Sequence, residues 1–93
     1  MVDQVRASHI LVNSEKEAKD VVEKLKLGEK FDALAKKHSS CPSKSKGGDL
    51  GWFKKGMMVA PFEEAAFKGE KGKVVGPVKT QFGWHVIYVA DKK

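Results

Sequence analysis

The sequence has very little cysteine and no long apolar run. Its single cysteine, Cys41, has no partner for an internal disulfide, which is typical of a protein in a reducing compartment. The apolar segments are too short to cross a bilayer, and residues 1–6 lack the basic region and apolar core of a secretory signal. We therefore expect a soluble, cytoplasmic protein in which Cys41 is a free thiol.

Arginine is also scarce, because Arg6 is the sole arginine among 18 basic residues. With 12 acidic residues the net charge is +6, and the lysines are spread along the whole chain. Scattered lysines are typical of a solvated surface, although their summed field favours anionic partners. Since arginine suits bidentate recognition of bases better than lysine, we expect at most a weak, salt-dependent association with nucleic acid or an anionic membrane surface.

The length and composition indicate one small globular domain covering residues 1–93. A hydrophobic content of 41% with 32% charged residues is typical of a folded chain rather than a disordered one. No internal repeat, low-complexity segment or linker divides the sequence. We expect a monomer with room for one site.

The first part of the chain predicts a strand followed by two helices. Residues 5–12 alternate in character, which places His9 on a core-facing side of a strand. Ser14 begins a capping box, and apolar residues then recur at helical spacing. A shorter helix is predicted over 31–38, where His38 is expected to pack rather than react.

The second part predicts a strand, a helix and a hairpin. The expected elements are an exposed loop at 39–49, a strand at 50–53, a helix at 61–69 and a hairpin over 76–89. In the last strand His85 shares a face with Ile87 and Val89. The resulting order, β-α-α-β-α-β-β, predicts an α+β domain with a sheet of about four strands.

A glycine-rich stretch, residues 47–62, stands at the centre of the functional interpretation. Glycines allow sharp turns and close approach to a ligand, while Leu50, Met58 and Phe62 offer apolar surface that can line a shallow cup. The same three residues would also suit an ordinary core. Polar groups able to serve chemistry lie on both sides of the stretch, namely His9, Cys41, Thr80 and His85.

Five segments in order make the chain resemble the parvulin-type peptidyl-prolyl cis/trans isomerases. They are Ala7-Ser8-His9-Ile10-Leu11, the loop carrying Cys41, Gly48-Asp49-Leu50-Gly51, Met58 to Phe62, and Phe82-Gly83-Trp84-His85. Each segment alone is a weak signal. Together they cover nearly the whole chain and make a specific match.

The resemblance implies a four-stranded antiparallel sheet surrounded by helices, with His9 and His85 adjacent on central strands. It also implies that Cys41 and Thr80 join these histidines in a polar network. Leu50, Met58 and Phe62 would then hold the substrate proline ring, and Phe82 would flank the neighbouring residue; we expect the Phe62 ring to wall this cup near the protein surface. The resemblance implies a catalytic domain without an accessory binding module, and we expect neither cofactor nor metal.

Two further roles are open for the polar residues. Cys41 could attack the substrate carbonyl as a nucleophile activated by a neighbouring histidine, although isomerisation breaks no bond and relatives of this family can carry aspartate at the matching position. His38, Cys41, His9 and His85 could alternatively form a zinc site. We expect instead a polar, non-covalent role for Cys41.

The substrates expected are proline-containing peptides and unfolded proteins. Phosphate-selecting relatives carry a basic cluster after the first strand, whereas residues 13–16 here read Asn-Ser-Glu-Lys. We therefore predict a phosphate-independent isomerase that assists folding. A non-catalytic basic binding module and a holding chaperone for unfolded chains are the alternatives.

Overall fold

The structure, a computed structural model, describes residues 3–93 as an α+β domain with the predicted order of elements. The strands are β1 (Gln4–Val12), β2 (Asp49–Lys54), β3 (Val74–Thr80) and β4 (Gly83–Lys92), and the helices are α1 (Glu15–Lys26), α2 (Phe31–His38) and α3 (Ala60–Lys68). All neighbouring strands are antiparallel, in the order β2-β1-β4-β3. The expected four-stranded antiparallel sheet is confirmed.

The local signals in the sequence set the ends of the first helix. The Ser14 hydroxyl accepts a hydrogen bond from the Glu17 backbone N–H at 3.2 Å, which satisfies one of the free donors at the start of α1. After α1 the chain passes through Gly28, whose φ of +99° suits glycine. The structure differs from the sequence prediction in several places: β3 begins at Val74, β4 continues to Lys92, and the loop after α2 contains a short 3-10 helix, Pro42–Lys46.

Both faces of the sheet are covered, and each has its own apolar core. The face toward α3 buries Val5, Ala7, Phe53, Phe62, Ala66, Ile87 and Val89. The opposite face, under α1 and α2, buries Ile10, Val12, Ala18, Val21, Leu34, Ala35 and Val86. Because β1 is central, its alternating side chains are buried on both sides along its second half.

The two central strands bring the histidines together. In the β1–β4 pair, His9 lies opposite Ile87 and Leu11 lies opposite His85. His9 and His85 are therefore diagonal neighbours on the α3 face of the sheet, within reach of one another. None of the helices described within residues 3–93 is both long and apolar enough to span a membrane.

Candidate active site

His9, His85 and Thr80 form a buried chain of hydrogen bonds on the α3 face of the sheet. The Nδ1 atoms of the two histidines are 2.9 Å apart, and their rings are stacked with centroids 5.0 Å apart. Nε2 of His85 lies 2.7 Å from the Thr80 hydroxyl, which also accepts a hydrogen bond from the Phe82 backbone N–H at 3.1 Å. The three side chains form one network. The resemblance implies that Cys41 joins it as well, but within residues 3–93 the Cys41 thiol makes no hydrogen bond to these side chains.

The pKa values of both histidines are low, so neither ring carries a charge at neutral pH. Burial lowers the pKa of His9 from 6.5 to about 4, helped by the repulsion that a protonated His85 would exert on a second positive charge. Burial also lowers the pKa of His85. Nε2 of His9 is buried and has no hydrogen-bond partner among the described residues. The pair therefore acts as a set of neutral, oriented dipoles.

The segment that carries Cys41 is fastened to β1 by two serines. The Ser39 hydroxyl, which is buried, accepts hydrogen bonds from the backbone N–H groups of Leu11, at 3.0 Å, and Cys41, at 3.3 Å. The Ser40 backbone N–H donates to the Leu11 carbonyl at 2.7 Å. These contacts hold the partly buried Cys41 beside the histidines, so this part of the loop is less exposed than the sequence predicts.

Gly48 approaches β1 so closely that a larger residue would not fit. Its carbonyl accepts a hydrogen bond from the His9 backbone N–H at 2.9 Å, and its φ is +88°. A Cβ at this position would lie 2.4 Å from the His9 carbonyl oxygen. Glycine is therefore needed both for the backbone conformation and for the close contact that fixes β1 at His9.

An apolar cleft of about 510 Å³ lies over the histidines. Its lining residues are His9, Leu11, Ser40, Cys41, Pro42, Leu50, Met57, Met58, Val59, Phe62, Phe82 and His85. Seven of the eight residues that the sequence indicates therefore line one cleft, while Thr80 contacts it through His85. Leu50, Met58 and Phe62 lie together in it, and because the resemblance assigns them to the substrate proline ring we call them the proline cup.

Phe62 is more deeply placed than the sequence predicts. We expected its ring to reach outward near the surface, but it is only 2% exposed. The ring meets His9 edge-on at a centroid distance of 5.5 Å and His85 at 5.3 Å, and it contacts Phe53 at 5.9 Å. The Phe62 ring therefore packs in the core between α3 and the sheet, and it also lines the cleft.

His38 lies away from the cleft, so the four residues of the zinc interpretation are not brought together. Its Nε2 is 3.5 Å from Nζ of Lys24, and it lines a separate small cavity between α1 and α2 with Glu17 and Asp20. Within residues 3–93, no three of the histidine, cysteine and carboxylate side chains are grouped to hold a metal ion. His38 packs against α1, as expected.

Two contributions to the site were missed at the sequence level. Met57 lines the cleft but stands in what the sequence shows only as a turn. Ser39 looks like one of several loop serines, yet it carries the two hydrogen bonds that position the Cys41 segment. No local pattern in the sequence distinguishes either residue, since both roles depend on strands distant along the chain.

A four-stranded antiparallel sheet with two buried, hydrogen-bonded histidines beneath an apolar cleft defines the parvulin class of peptidyl-prolyl isomerases. The family model described as the PPIC-type PPIase domain matches residues 1–93. The chain belongs to this family.

Relatives agree in sequence and in fold. The foldase protein PrsA of Geobacillus kaustophilus is 57% identical over 91 residues, which are 97% of this chain and 32% of that protein. The crystal structure of the peptidylprolyl isomerase PrsA from Bacillus cereus matches with a TM-score of 0.94 and 53% identity, over 99% of this chain and 36% of that one. The chain spans about a third of the length of the curated relatives that it matches.

A solved structure of similar length shows the same fold. The parvulin of Nitrosopumilus maritimus is 51% identical with a TM-score of 0.85, and the match covers 94% of this chain and 95% of that chain. The fold described here therefore occurs both within longer foldases and as a chain of about this size.

Proposed function

We propose that this domain catalyses cis/trans isomerisation of Xaa-Pro bonds in peptides and unfolded proteins, without a covalent intermediate and without a cofactor. The observation that carries the proposal is the position of the proline cup directly over two neutral, hydrogen-bonded histidines. An apolar cup of this kind suits a proline ring, and the uncharged network beneath it suits an amide that changes polarity as it rotates.

The chemical task is to lower the barrier to rotation about one amide bond. That barrier is about 18–20 kcal/mol, because resonance keeps the amide planar. In the twisted transition state the resonance is lost, the carbonyl becomes less polar, and the proline nitrogen regains a lone pair. A site that favours this geometry over the planar one accelerates rotation, and each 1.4 kcal/mol or so of preference gives about tenfold in rate.

The cleft can supply this preference in two ways. Leu50, Met58 and Phe62 hold the proline ring while the preceding part of the peptide rotates, and transfer into the apolar cleft disfavours the more polar planar amide. The histidines do not need to transfer protons. We assign them the role of fixing the orientation of polar groups at the cleft, with Thr80 as a positioning residue for His85.

We assign Cys41 a polar role at the edge of the cleft. The Ser39 and Ser40 contacts to β1 hold the Cys41 segment, and Cys41 lines the cleft, which supports a role for its side chain near the bound amide. Isomerisation breaks no bond, so a covalent step at the thiol would add a barrier without completing a necessary reaction. A hydrogen-bonding or electrostatic contribution is sufficient.

We further propose that catalysis is independent of phosphate. Directly after β1, residues 13–16 contain one lysine and one acid; the Ser14 hydroxyl caps α1, and Glu15 lies 3.9 Å from Lys19 in an ion pair. Among the described residues that line the cleft, none carries a lysine, arginine or carboxylate side chain. A phosphoserine before proline would therefore meet no charge-assisted partner within the cleft.

A protease-coupled proline-turnover assay tests the proposal directly. Identical peptides with leucine, glutamate or phosphoserine before proline should be isomerised best when leucine is present. The comparison is repeated at high salt, because the net charge of +6 attracts any acidic peptide non-specifically. A clear advantage of phosphoserine at high salt would contradict phosphate independence. No acceleration of any peptide would contradict the enzyme and favour a binding module or a holding chaperone.

The remaining expectations concern the surroundings of the domain. The lysine-rich surface supports a weak, salt-dependent association with nucleic acid or anionic membranes, which we propose as a secondary property. The monomeric state and the cytoplasmic location stay predictions. Sedimentation of the purified chain tests the first, and fractionation of cells tests the second.

A further inference from the structure

Two large apolar side chains stand exposed at the margins of the cleft. Met57 is 65% exposed and Phe82 is 60% exposed, and both line the cleft. An exposed apolar side chain is common on any surface, but two on the margins of one apolar cleft form a continuous surface with it. The cleft is thus longer than the proline cup alone.

The strand register places these two residues near opposite ends of β1. Phe82 lies in the β3–β4 turn, near the end of β1, where Val12 pairs with Trp84. Met57 follows β2, whose last residue, Lys54, pairs with Gln4 at the beginning of β1. Met57 follows the edge strand β2 and Phe82 follows the edge strand β3, whereas His9 and His85 lie on the central strands between them, and all four residues line the cleft.

Met57 is held in position although it is exposed. Its sulfur accepts a hydrogen bond from the Lys54 backbone N–H at 3.3 Å, and its own N–H donates to the Lys54 carbonyl at 3.2 Å. The adjoining Gly56 N–H donates to the carboxylate of Glu63 on α3. The turn is therefore fastened at both sides, and the methionine is pre-positioned at the cleft margin, which lowers the cost of binding there.

We propose that Met57 is a specificity-determining residue that contacts the substrate residue following proline and favours an apolar side chain there. The inference rests on the proposed isomerase function, in which the proline ring occupies the proline cup and Phe82 flanks the preceding residue. An extended peptide advances about 3.3–3.6 Å per residue, so the chain leaving the cup moves away from Phe82 and toward Met57. The flexible, polarisable side chain of methionine accommodates apolar groups of different shapes.

The test compares peptides that differ only after proline, with leucine or glutamine at that position and the same residue before it. We expect kcat/KM of the wild-type domain to favour leucine by about fourfold, the effect of one buried methylene group. The preference should appear in KM rather than in kcat, because the contact is made equally in the planar and the twisted states.

Three variants give the decisive comparison. Met57→Gln should abolish most of the preference, and Met57→Leu should retain it. Leu27→Gln is the matched control, since Leu27 is an apolar residue 77% exposed at the end of α1 and lies outside the cleft. This control should leave both turnover and preference unchanged.

Distinct results would overturn the inference. A wild-type preference that Met57→Gln leaves intact, or a Met57→Gln effect on the residue before proline instead, would remove Met57 from this role while the isomerase stands. A wild-type domain that accelerates no peptide would overturn the proposed function and this inference together. Turnover in the wild type therefore separates the two failures.

Discussion

The Nδ1 atoms of His9 and His85 lie 2.9 Å apart, although the two residues are 76 positions apart in the sequence. Two neutral rings can approach in this way only if one nitrogen carries the proton and the other accepts it. The Thr80 hydroxyl lies 2.7 Å from the far nitrogen of His85 and can donate to or accept from it, so its hydrogen bond is coupled to the proton that the two Nδ1 atoms share. One hydroxyl group therefore influences the orientation of both rings.

Replacing Thr80 by valine should weaken both stability and catalysis. The change keeps the shape of the side chain but removes the partner of His85 Nε2 and of the Phe82 N–H, both of which would be left unpaired. We expect a loss of about 1–3 kcal/mol in the free energy of unfolding, measured in urea, and a fall in kcat/KM. Thr80→Ser, which keeps the hydroxyl, should recover most of both. Equal effects of the two changes would contradict the hydrogen-bonding role.

Substitutions of Cys41 separate a polar from a covalent role. Cys41→Asp should keep kcat/KM within about tenfold of wild type, a loss of roughly 1.4 kcal/mol or less, because a carboxylate maintains polarity at the cleft margin. Cys41→Ala should lose more. The coupled assay gives the rates, and mass spectrometry of the protein with substrate looks for an adduct. A trapped acyl adduct, or a Cys41→Asp variant as inactive as Cys41→Ala, would instead support a nucleophilic role for the thiol.

Phe62 should be sensitive in two separable ways, because it is buried in the core and also lines the cleft. Phe62→Ala should cost about 3–5 kcal/mol of stability through the cavity it leaves. Loss of activity in this variant would therefore not distinguish unfolding from loss of the ring at the cleft. Phe62→Leu should stay folded and lose activity, since it keeps apolar volume but removes the ring that meets both histidines. Circular dichroism checks folding. A folded leucine variant with full activity would remove the ring from the site.

Two glycines with positive φ provide a matched pair of substitutions. Gly51→Ala meets no atom within 4 Å at a φ of +72°, so it should cost only the backbone strain, about 1–3 kcal/mol. Gly48→Ala adds a Cβ 2.4 Å from the His9 carbonyl and should cost clearly more. It should also disturb the histidine pair, seen as shifted imidazole resonances by NMR. Similar losses of stability in both variants would argue against the close approach at Gly48.

Stability should fall as the pH drops below about 6.5. The pKa of His9 is about 4 in the folded protein, against 6.5 in the unfolded chain, so between these values the unfolded chain binds a proton that the folded one excludes. Each unit of this shift is worth about 1.4 kcal/mol, so His9 alone should account for up to about 3 kcal/mol, fully present above pH 6.5 or so and lost toward pH 4.

Urea unfolding at intervals between neutral pH and about pH 4.5 measures this dependence. His9→Asn provides the comparison, because its free energy of unfolding should change less across the same window. The pKa of Asp49 is lowered from its ordinary value of 3.8, so this carboxylate stabilises the folded protein above that pH. Its contribution is lost only at lower pH, as the carboxyl becomes protonated, and does not overlap with the His9 window. A wild-type stability that does not change between pH 7 and pH 5 would contradict a neutral, buried pair.

Much of the fold was predictable because its signals are local. The alternation in β1 placed His9 toward a core, and the Ser14 cap set the start of α1, since strands and helix ends depend on residues a few positions apart. The resemblance added what periodicity does not supply, namely that the strands of His9 and His85 are central and adjacent. The structure confirms that arrangement.

The remaining parts of the site depend on distant contacts. Ser39 acts on Leu11, 28 positions earlier, and no spacing rule connects a loop serine with a strand so far away. Phe62 is buried because α3 crosses the histidine face, which a helical pattern alone does not reveal. Met57 lines the cleft together with Leu11 and Phe82, which are distant from it in the sequence. These are properties of the assembled sheet rather than of any segment.

The order β2-β1-β4-β3 also has a consequence for biosynthesis. The centre of the sheet is made from the first and last strands of the chain, and Gln4 and Lys93 exchange backbone hydrogen bonds at 2.8 and 2.9 Å. During translation β1, with His9, is made before β4, the strand that completes its pairing. A product that stops before β4 has a gap at the middle of its sheet, so the nascent domain stays open, and exposed to chaperones and proteases, until translation of this segment is complete.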